Sequence, residues 1–138
     1  MRTLWGGLAL SVAVEEWHHD ERYKIVLIAP ATETTTAANS LFKLLKLDTG
    51  VRIAFDQLIE KEGKAPIDWF SIARAAQNIH AQVLWCHDKD DDMTPLSDVE
   101  PIIEKGYLNF KFSITEGLGH RRIYRDNKVS KEVIDFFK

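Results

Sequence analysis

An aspartate and a histidine in two separate loops have the types and spacing that acid–base chemistry needs. Asp91 lies in the acidic turn HDKDDDMTP of residues 87–95, and His120 follows 29 residues later in the segment GLGHR of residues 117–121. A carboxylate that orients an imidazole makes up two of the three parts of a nucleophilic hydrolase. We therefore take Asp91 and His120 as a candidate catalytic pair.

Apolar segments precede both loops and predict the strands that would position them. Residues 82–86 (QVLWC) lead into the acidic turn and residues 108–114 lead into the histidine loop, with a predicted helix over 96–105 between them. A strand–helix–strand order favours parallel pairing. Because open α/β sheets build their sites at the carboxyl ends of parallel strands, we expect the two loops to lie side by side.

The rest of the chain alternates in the same way. Residues 23–29 (YKIVLIA) are typical of a buried parallel strand that Pro30 ends. Helical spacing of apolar residues predicts helices over 6–17, 34–47, 51–62, 68–79 and 130–137. Three of these helices fall in residues 31–80, an insertion longer than a simple crossover requires, which could fold over the strand ends as a lid.

Composition limits the fold and the partners. With 138 residues and 45% hydrophobic content, the chain has the size of one domain. We predict a single α/β domain over residues 1–138, with about four mainly parallel strands, flanking helices and a helical insertion. The net charge of −3 gives no reason to expect nucleic acid or a membrane as partner. The lone Cys86 and the lack of a readable signal peptide or membrane span predict a cytoplasmic protein.

From Gly6 onward, the sequence resembles the C-terminal half of an α/β-hydrolase. Gly6 and Gly7 resemble the end of the family's G-x-S-x-G-G nucleophile turn, and residues 23–31 resemble the strand that leads into its helical cap. The acidic turn resembles the H-G-x-x-D-x-x-V-P acid loop, with Asp88 in place of the usual glycine, and residues 117–120 resemble the final loop. The resemblance implies that Asp91 is the catalytic acid, that His120 is the catalytic base and that residues 31–80 are the cap.

The nucleophile is where the sequence departs from this family. The position of the serine is held by Leu4, and the first glycine of the turn corresponds to Arg2. Ser11 and Ser113 are predicted inside a helix and a strand rather than on a sharp turn, so neither replaces it. The resemblance therefore implies a truncated hydrolase for ester, amide or similar acyl bonds that is inactive alone.

Two kinds of partner follow from this interpretation. An active form would take a small-molecule acyl substrate and a complementing N-terminal half that supplies the serine. The alternative is a non-catalytic remnant or interaction module that forms homo-oligomers, because an exposed first strand presents unpaired backbone groups.

The acidic turn also raises a metal hypothesis. Four aspartates, Asp88, Asp90, Asp91 and Asp92, could bind Ca²⁺ or Mg²⁺, but Met93 and Val99 stand where the calcium-loop pattern needs glycine and glutamate. A strand followed by D-x-D also occurs in phosphoryl-transfer enzymes with an aspartate nucleophile and Mg²⁺. No phosphate-cradling loop accompanies it here, so we expect neither a metal nor another cofactor, and solvated or helix-capping carboxylates instead.

The remaining polar and aromatic candidates have simpler explanations. His87 follows a buried strand and is expected to bond backbone groups. The two arginines after His120, Arg121 and Arg122, either pair with the acidic turn or face solvent. Trp69 and Phe70 could line a substrate pocket, although packing in the core or lid is favoured.

Overall fold

The computed structural model describes residues 23–138, which contain a three-stranded parallel sheet. The sheet order is β1-β2-β3, formed by β1 (Lys24–Ile28), β2 (Gln82–Asp88) and β3 (Phe110–Thr115). The predicted α/β class with a parallel sheet is confirmed, whereas these residues hold three strands rather than about four. The helix predicted over 6–17 lies outside the described residues.

Six α-helices accompany the sheet in the described residues. They are α1 (Thr34–Leu45), α2 (Thr49–Gly63), α3 (Ile72–Ala75), α4 (Glu100–Lys105), α5 (Gly119–Arg122) and α6 (Asn127–Phe137). Short 3-10 turns cover Ile67–Trp69, Ala76–Asn78, Leu96–Asp98 and Ile123–Arg125. None of the helices within residues 23–138 is long and apolar enough to cross a membrane.

Strand β2 is the centre of the core, and its two faces pack against different helices. Val83 and Trp85 point to one side with Ile72 and Ile102, and all four side chains are buried. Alternate residues of the strand, Leu84 and Cys86, pack on the other side with Ile123 and Val129. Burial on both faces explains why the strand reads as a continuous apolar run. The central strand is therefore the rigid support from which the acidic turn leaves the sheet.

The helical insertion follows its predicted pattern in the first two helices and departs from it in the third. Instead of one helix over 68–79, a 3-10 turn ends at Trp69 and α3 begins after Ser71. The Ser71 hydroxyl accepts a hydrogen bond from the Arg74 N–H, which makes it the N-cap of a new helix. Phe70, 1% exposed, lies in the core at the break. The continuous helix was wrong because a serine in this apolar run caps a helix better than it extends one.

The closing helix begins earlier than predicted for a similar reason. The Asp126 carboxylate accepts a hydrogen bond of 2.9 Å from the Val129 N–H, so α6 begins at Asn127 rather than at Ser130. Val129 then packs into the core on one face of the sheet. The cap residue fixes where the helix starts, and its apolar stripe fixes where it packs.

Candidate active site

The acidic turn folds around the carboxylate of Asp91. Asp91 Oδ1 accepts hydrogen bonds from the backbone N–H groups of Met93 and Thr94, at 2.9 and 2.8 Å. The Thr94 hydroxyl donates to Oδ2 at 2.8 Å. An aspartate that bonds the backbone two and three residues ahead closes a tight turn, which explains this side chain's fixed orientation. Asp91 is thus buried just beyond the carboxyl end of β2. Its Oδ2 can accept one further hydrogen bond.

The structure brings His120 to that remaining position. His120 Nδ1 lies 2.9 Å from Asp91 Oδ2 and 3.2 Å from the Thr94 hydroxyl oxygen. Because an ionised carboxylate only accepts hydrogen bonds, Nδ1 carries the proton and Nε2 is left as the acceptor. No hydrogen bond to Nε2 occurs within the part of the chain that the structure describes. This is the tautomer in which an imidazole can act as a general base through Nε2.

The environment of Asp91 keeps its carboxylate ionised. Burial acts to raise the pKa of Asp91, but it is outweighed by hydrogen bonds from His120 and from the N–H and hydroxyl of Thr94, together with the electrostatic attraction of His120. The pKa of Asp91 is therefore held below its ordinary value. An anionic partner at Nδ1 stabilises the positive charge that the imidazole gains when Nε2 takes up a proton.

Asp88, which stands where the resembled family has glycine, joins the two loops. Its Oδ1 accepts from the N–H groups of Asp90 and Gly119 at 3.0 and 2.8 Å. Its Oδ2 accepts from the Thr115 hydroxyl at 2.7 Å and from the Leu118 N–H at 3.1 Å. A glycine would leave the three backbone N–H groups among these donors without this acceptor. Asp88 thus binds the segment that immediately precedes His120, a role that the sequence did not predict.

The electrostatics of Asp88 fit this role. The side chain is fully buried, and burial acts to raise its pKa. Hydrogen bonds from Thr115 and from the backbone N–H groups of Gly119, Asp90 and Leu118 outweigh burial, so the pKa of Asp88 lies below its ordinary value. The carboxylate is ionised and all its lone pairs are in use.

Two glycines allow the histidine loop to approach the acidic turn. Gly117 and Gly119 adopt φ values of 82° and 61°, a left-handed conformation that side chains disfavour. The Gly117 N–H donates to Asp90 Oδ2 at 2.7 Å. A Cβ at Gly119 would lie 3.4 Å from the Asp90 carbonyl oxygen. The GLG pattern is therefore a requirement of the loop backbone.

His87 supports the acidic turn and does not face the cavity. Its Nε2 lies 2.6 Å from the Thr94 carbonyl oxygen, and its Nδ1 accepts from the Trp85 indole N–H at 3.4 Å. Both bonds together require a neutral ring with the proton on Nε2. As predicted, His87 bonds a backbone group, and it holds Thr94 where Thr94 contacts Asp91.

The residues after His120 attach its helix to neighbouring backbone. Arg122 donates through Nε and Nη2 to the carbonyl oxygens of Leu118 and Gly117. Of the two alternatives left open for this arginine, the structure shows the solvent-exposed one. The Tyr124 hydroxyl donates at 3.0 Å to the carbonyl oxygen of Ile28, at the end of β1. Its ring meets the His120 ring edge to face with centroids 5.9 Å apart. Burial raises the pKa of the Tyr124 phenol, and the charge of Asp91 adds to this.

A cavity of about 930 Å³ lies between α1 and the two loops. His120, Thr94 and Leu118 line it on one side, and Ser40 and Leu41 of α1 line it on the other. Ser40 was missed in the sequence, because a serine within a helical pattern carries no signal of its position. Trp69 and Phe70 are not among the lining residues. The site is thus open to a ligand at the imidazole.

The donor set of the acidic turn does not suit a cation. Within residues 23–138, no group of three His, Cys, Asp or Glu side chains is arranged to hold a metal. Asp88 already accepts four hydrogen bonds, and a cation on its oxygens would leave buried N–H groups unpaired. Cys86 is buried, and burial raises the pKa of its thiol to about 11, so it is a poor metal ligand and nucleophile.

Comparison with known proteins finds similarity among solved structures but not among sequences. No family model and no curated protein matches the sequence. Among solved structures, the α/β hydrolase domain-containing protein 10 from mouse is similar, with 15% sequence identity and a TM-score of 0.47. The similarity covers 96% of this chain and 59% of that one, so the chain spans less than two thirds of the solved protein.

Proposed function

We propose that Asp91 and His120 are the acid–base pair of an α/β-hydrolase-type enzyme that cleaves an ester, amide or similar acyl bond. The observation that carries the proposal is the 2.9 Å hydrogen bond between His120 Nδ1 and Asp91 Oδ2. It leaves His120 Nε2 as the acceptor of an imidazole that lines a cavity large enough for a substrate. The acidic turn and the histidine loop supply the pair without any residue outside 23–138.

In the proposed reaction, His120 Nε2 takes the proton of the nucleophile as that nucleophile attacks the acyl carbon. The same nitrogen then gives the proton to the leaving group. Asp91 stays ionised, fixes the ring through Nδ1 and stabilises the imidazolium. The low pKa of Asp91 supports this role at neutral pH, because the carboxylate does not take the proton itself.

The nucleophile is proposed to come from outside the described residues. Thr94 contacts the imidazole at Nδ1 and donates to Asp91, so its hydroxyl lies on the wrong side of the ring. Ser40 lines the cavity but makes no hydrogen bond to His120. The resemblance assigns the serine to the position of Leu4, which is apolar. We therefore propose that the chain alone forms no acyl-enzyme and that a complementing chain would supply the serine.

A fluorophosphonate probe with intact-mass detection tests both parts of this proposal. We expect no adduct on the folded wild-type chain. The double variant Arg2→Gly/Leu4→Ser restores the pattern of the nucleophile turn and should gain one adduct. Adding His120→Ala should remove that adduct, whereas adding His80→Ala, at an exposed histidine, should not.

The outcomes test the role of the Asp91–His120 pair separately from the proposed absence of a nucleophile. A wild-type adduct that disappears with His120→Ala would show an activated serine in this chain and contradict the proposed inactivity. A double variant that is folded but unlabelled would contradict the assignment of position 4 and His120 to one catalytic unit. Loss of one member of such a unit typically lowers the rate on the order of 10⁴-fold, so a partial effect of His120→Ala would also count against it.

Exposed apolar residues support a second candidate, a module that associates with itself. Leu44 is 72% exposed, and Leu45, Ile53 and Leu58 of α1 and α2 are also exposed. Light scattering across protein concentration would test it, with Leu45→Gln/Leu58→Gln expected to shift the chain toward monomer. Leu108→Gln, at an exposed residue outside the insertion, is the matched control. A wild-type chain that is monomeric at all concentrations would exclude this candidate.

A further inference from the structure

The cavity beside His120 has a mainly apolar wall. Leu41 and Leu44 of α1 form one side, and Met93 and Leu118 from the two loops form the other. Its volume of about 930 Å³ lies at the upper end of the range of small-molecule sites. Leu44 and Met93 are exposed, so an aliphatic group placed here would remove apolar surface from water, the main driving force for such binding.

The charged residues of the same cavity are mostly basic. Lys43, Arg121 and Arg122 line it together with a single carboxylate, Asp92. The whole chain, in contrast, has a net charge of −3. The ion pairs found within residues 23–138 include none of the three cations. The cavity therefore combines apolar surface with positive charge that forms no ion pair with a carboxylate of residues 23–138.

Arg122 is fixed in place although it lies at the surface. Its Nε and Nη2 donate to the carbonyl oxygens of Leu118 and Gly117, at 3.0 and 2.6 Å. A guanidinium has five N–H donors, so further donors remain for a ligand. Because the two carbonyls already restrict the side chain, an anion that binds there loses less conformational entropy in ordering it.

We propose that this cavity binds an aliphatic molecule that carries one carboxylate, with the chain against the leucines and the carboxylate at Arg121 and Arg122. As a statement about substrate, this rests on the proposed function: the bond cleaved near His120 would belong to an amphipathic anion. Guanidinium and carboxylate are matched in charge and geometry, which is the reason for choosing a carboxylate. The proposal about binding itself does not depend on catalysis.

The test is a chemical-shift titration of the folded chain with octanoate, octanamide and octylammonium. These probes share the alkyl chain and differ in the charge of the head group. We expect octanoate to bind about tenfold more tightly than octanamide at low salt, with shifts at Leu41, Leu118 and Met93. The preference should weaken at high salt, because the cations lie at the surface.

Variants assign the preference to individual side chains. Arg121→Gln should weaken octanoate binding about threefold and leave octanamide binding unchanged. Arg125→Gln, at an exposed arginine one turn further on that does not line the cavity, is the matched control and should have no effect. Arg122→Gln also removes the bonds to Gly117 and Leu118, so its thermal unfolding is measured beside its affinity.

Three results would overturn the proposal: equal binding of octanoate and octanamide, tighter binding of octylammonium, or no shift at the cavity residues with any probe. The labelling experiment with the fluorophosphonate probe separates this proposal from the previous one, because octanoate binding is measured independently of labelling. Octanoate binding together with a failed probe-labelling experiment would reject the hydrolase and retain the site. Probe labelling without octanoate binding would retain the hydrolase proposal and reject the binding site.

Discussion

The two loops at the carboxyl end of the sheet and the helical insertion above them are stabilised in different ways. In the loops, the side chains of His87, Asp88, Asp91 and His120 are all buried. Each of them is hydrogen-bonded to the backbone or to another side chain of the two loops. Helix α2 of the insertion, in contrast, has no buried residue, and α1 leaves Leu44 and Leu45 exposed.

The loops are held in one arrangement by their own hydrogen bonds, whereas α2 has no buried residue that would hold it against the rest of the chain. Buried polar groups that satisfy one another hold a single arrangement, because any displacement leaves a donor or acceptor unpaired. Helices without a buried face depend on capping and on short-range contacts, which contribute little each. We therefore expect substitutions of the buried loop residues to have large effects and substitutions in α2 to have small ones.

Asp88→Ala should give the largest effect among the substitutions of polar residues. Removing the carboxylate leaves the N–H groups of Leu118 and Gly119 without their acceptor, so the free energy of unfolding should fall by about 2–4 kcal/mol. Urea denaturation measures this loss. The matched control is Asp92→Ala, at an exposed aspartate of the same turn, with an expected change within about 0.5 kcal/mol. Equal losses in the two variants would contradict the role of Asp88 in joining the loops.

The pH dependence of stability should also differ between the acidic turn and the helical insertion. Asp88 and Asp91 have lowered pKa values in the folded chain. Their contribution is thus fully present above the unfolded-state pKa, roughly pH 4, and is lost as the pH falls through the folded-state values. Glu33, just before α1, has a pKa raised mainly by burial, so its contribution is present at low pH and is lost as the pH rises.

Urea denaturation between pH 2 and pH 7 measures this dependence. Asp91→Asn should flatten the loss of stability on the acid side, because it removes one of the two groups that must be protonated. Glu33→Gln should leave the acid side unchanged. The reverse pattern would contradict the assignment of the acid-sensitive groups to the loops.

Capping of the insertion should give a smaller, local effect. The Asp48 carboxylate accepts a hydrogen bond of 2.9 Å from the Val51 N–H at the start of α2. Asp48→Ala should destabilise this helix by about 1 kcal/mol. Hydrogen exchange would show faster exchange in α2 and unchanged protection in β2. Glu60→Ala, at an exposed residue of the same helix, is the control, and equal acceleration by both would argue against a specific cap.

The sequence was sufficient for the central strand β2 because its apolar run is buried on both faces. Strand β2 lies between two helix layers, so its pattern has no polar interruption that could be misread. The break at Ser71 could not be read in the same way, because the apolar residues on both sides of it keep nearly helical spacing. There Ser71 caps a new helix, and Phe70 is buried at the break.

Within the candidate site, the sequence predicted the two residues whose side chains meet but not those that hold them. Asp91 and His120 stand in motifs with recognisable spacing, whereas the hydrogen bonds of Asp88 go to backbone groups of a loop thirty and thirty-one residues away. Every residue except proline has a backbone N–H, so residue types alone do not predict which N–H groups bond a given carboxylate. The signal that could have found Asp88 was the departure itself, since a carboxylate in place of glycine has to be satisfied when it is buried.

The smallest effect is expected at Leu58, and it tests whether the insertion is uncovered in solution. Leu58 is 53% exposed, so Leu58→Ala should change the free energy of unfolding by no more than about 0.5 kcal/mol. Ile102→Ala, at a core residue 1% exposed, should cost about 2–5 kcal/mol and serves as the reference. A loss at Leu58 approaching that of Ile102 would mean that another surface covers α2. If that loss grew with protein concentration, the covering surface would be a second copy of the chain, because only association makes stability depend on concentration.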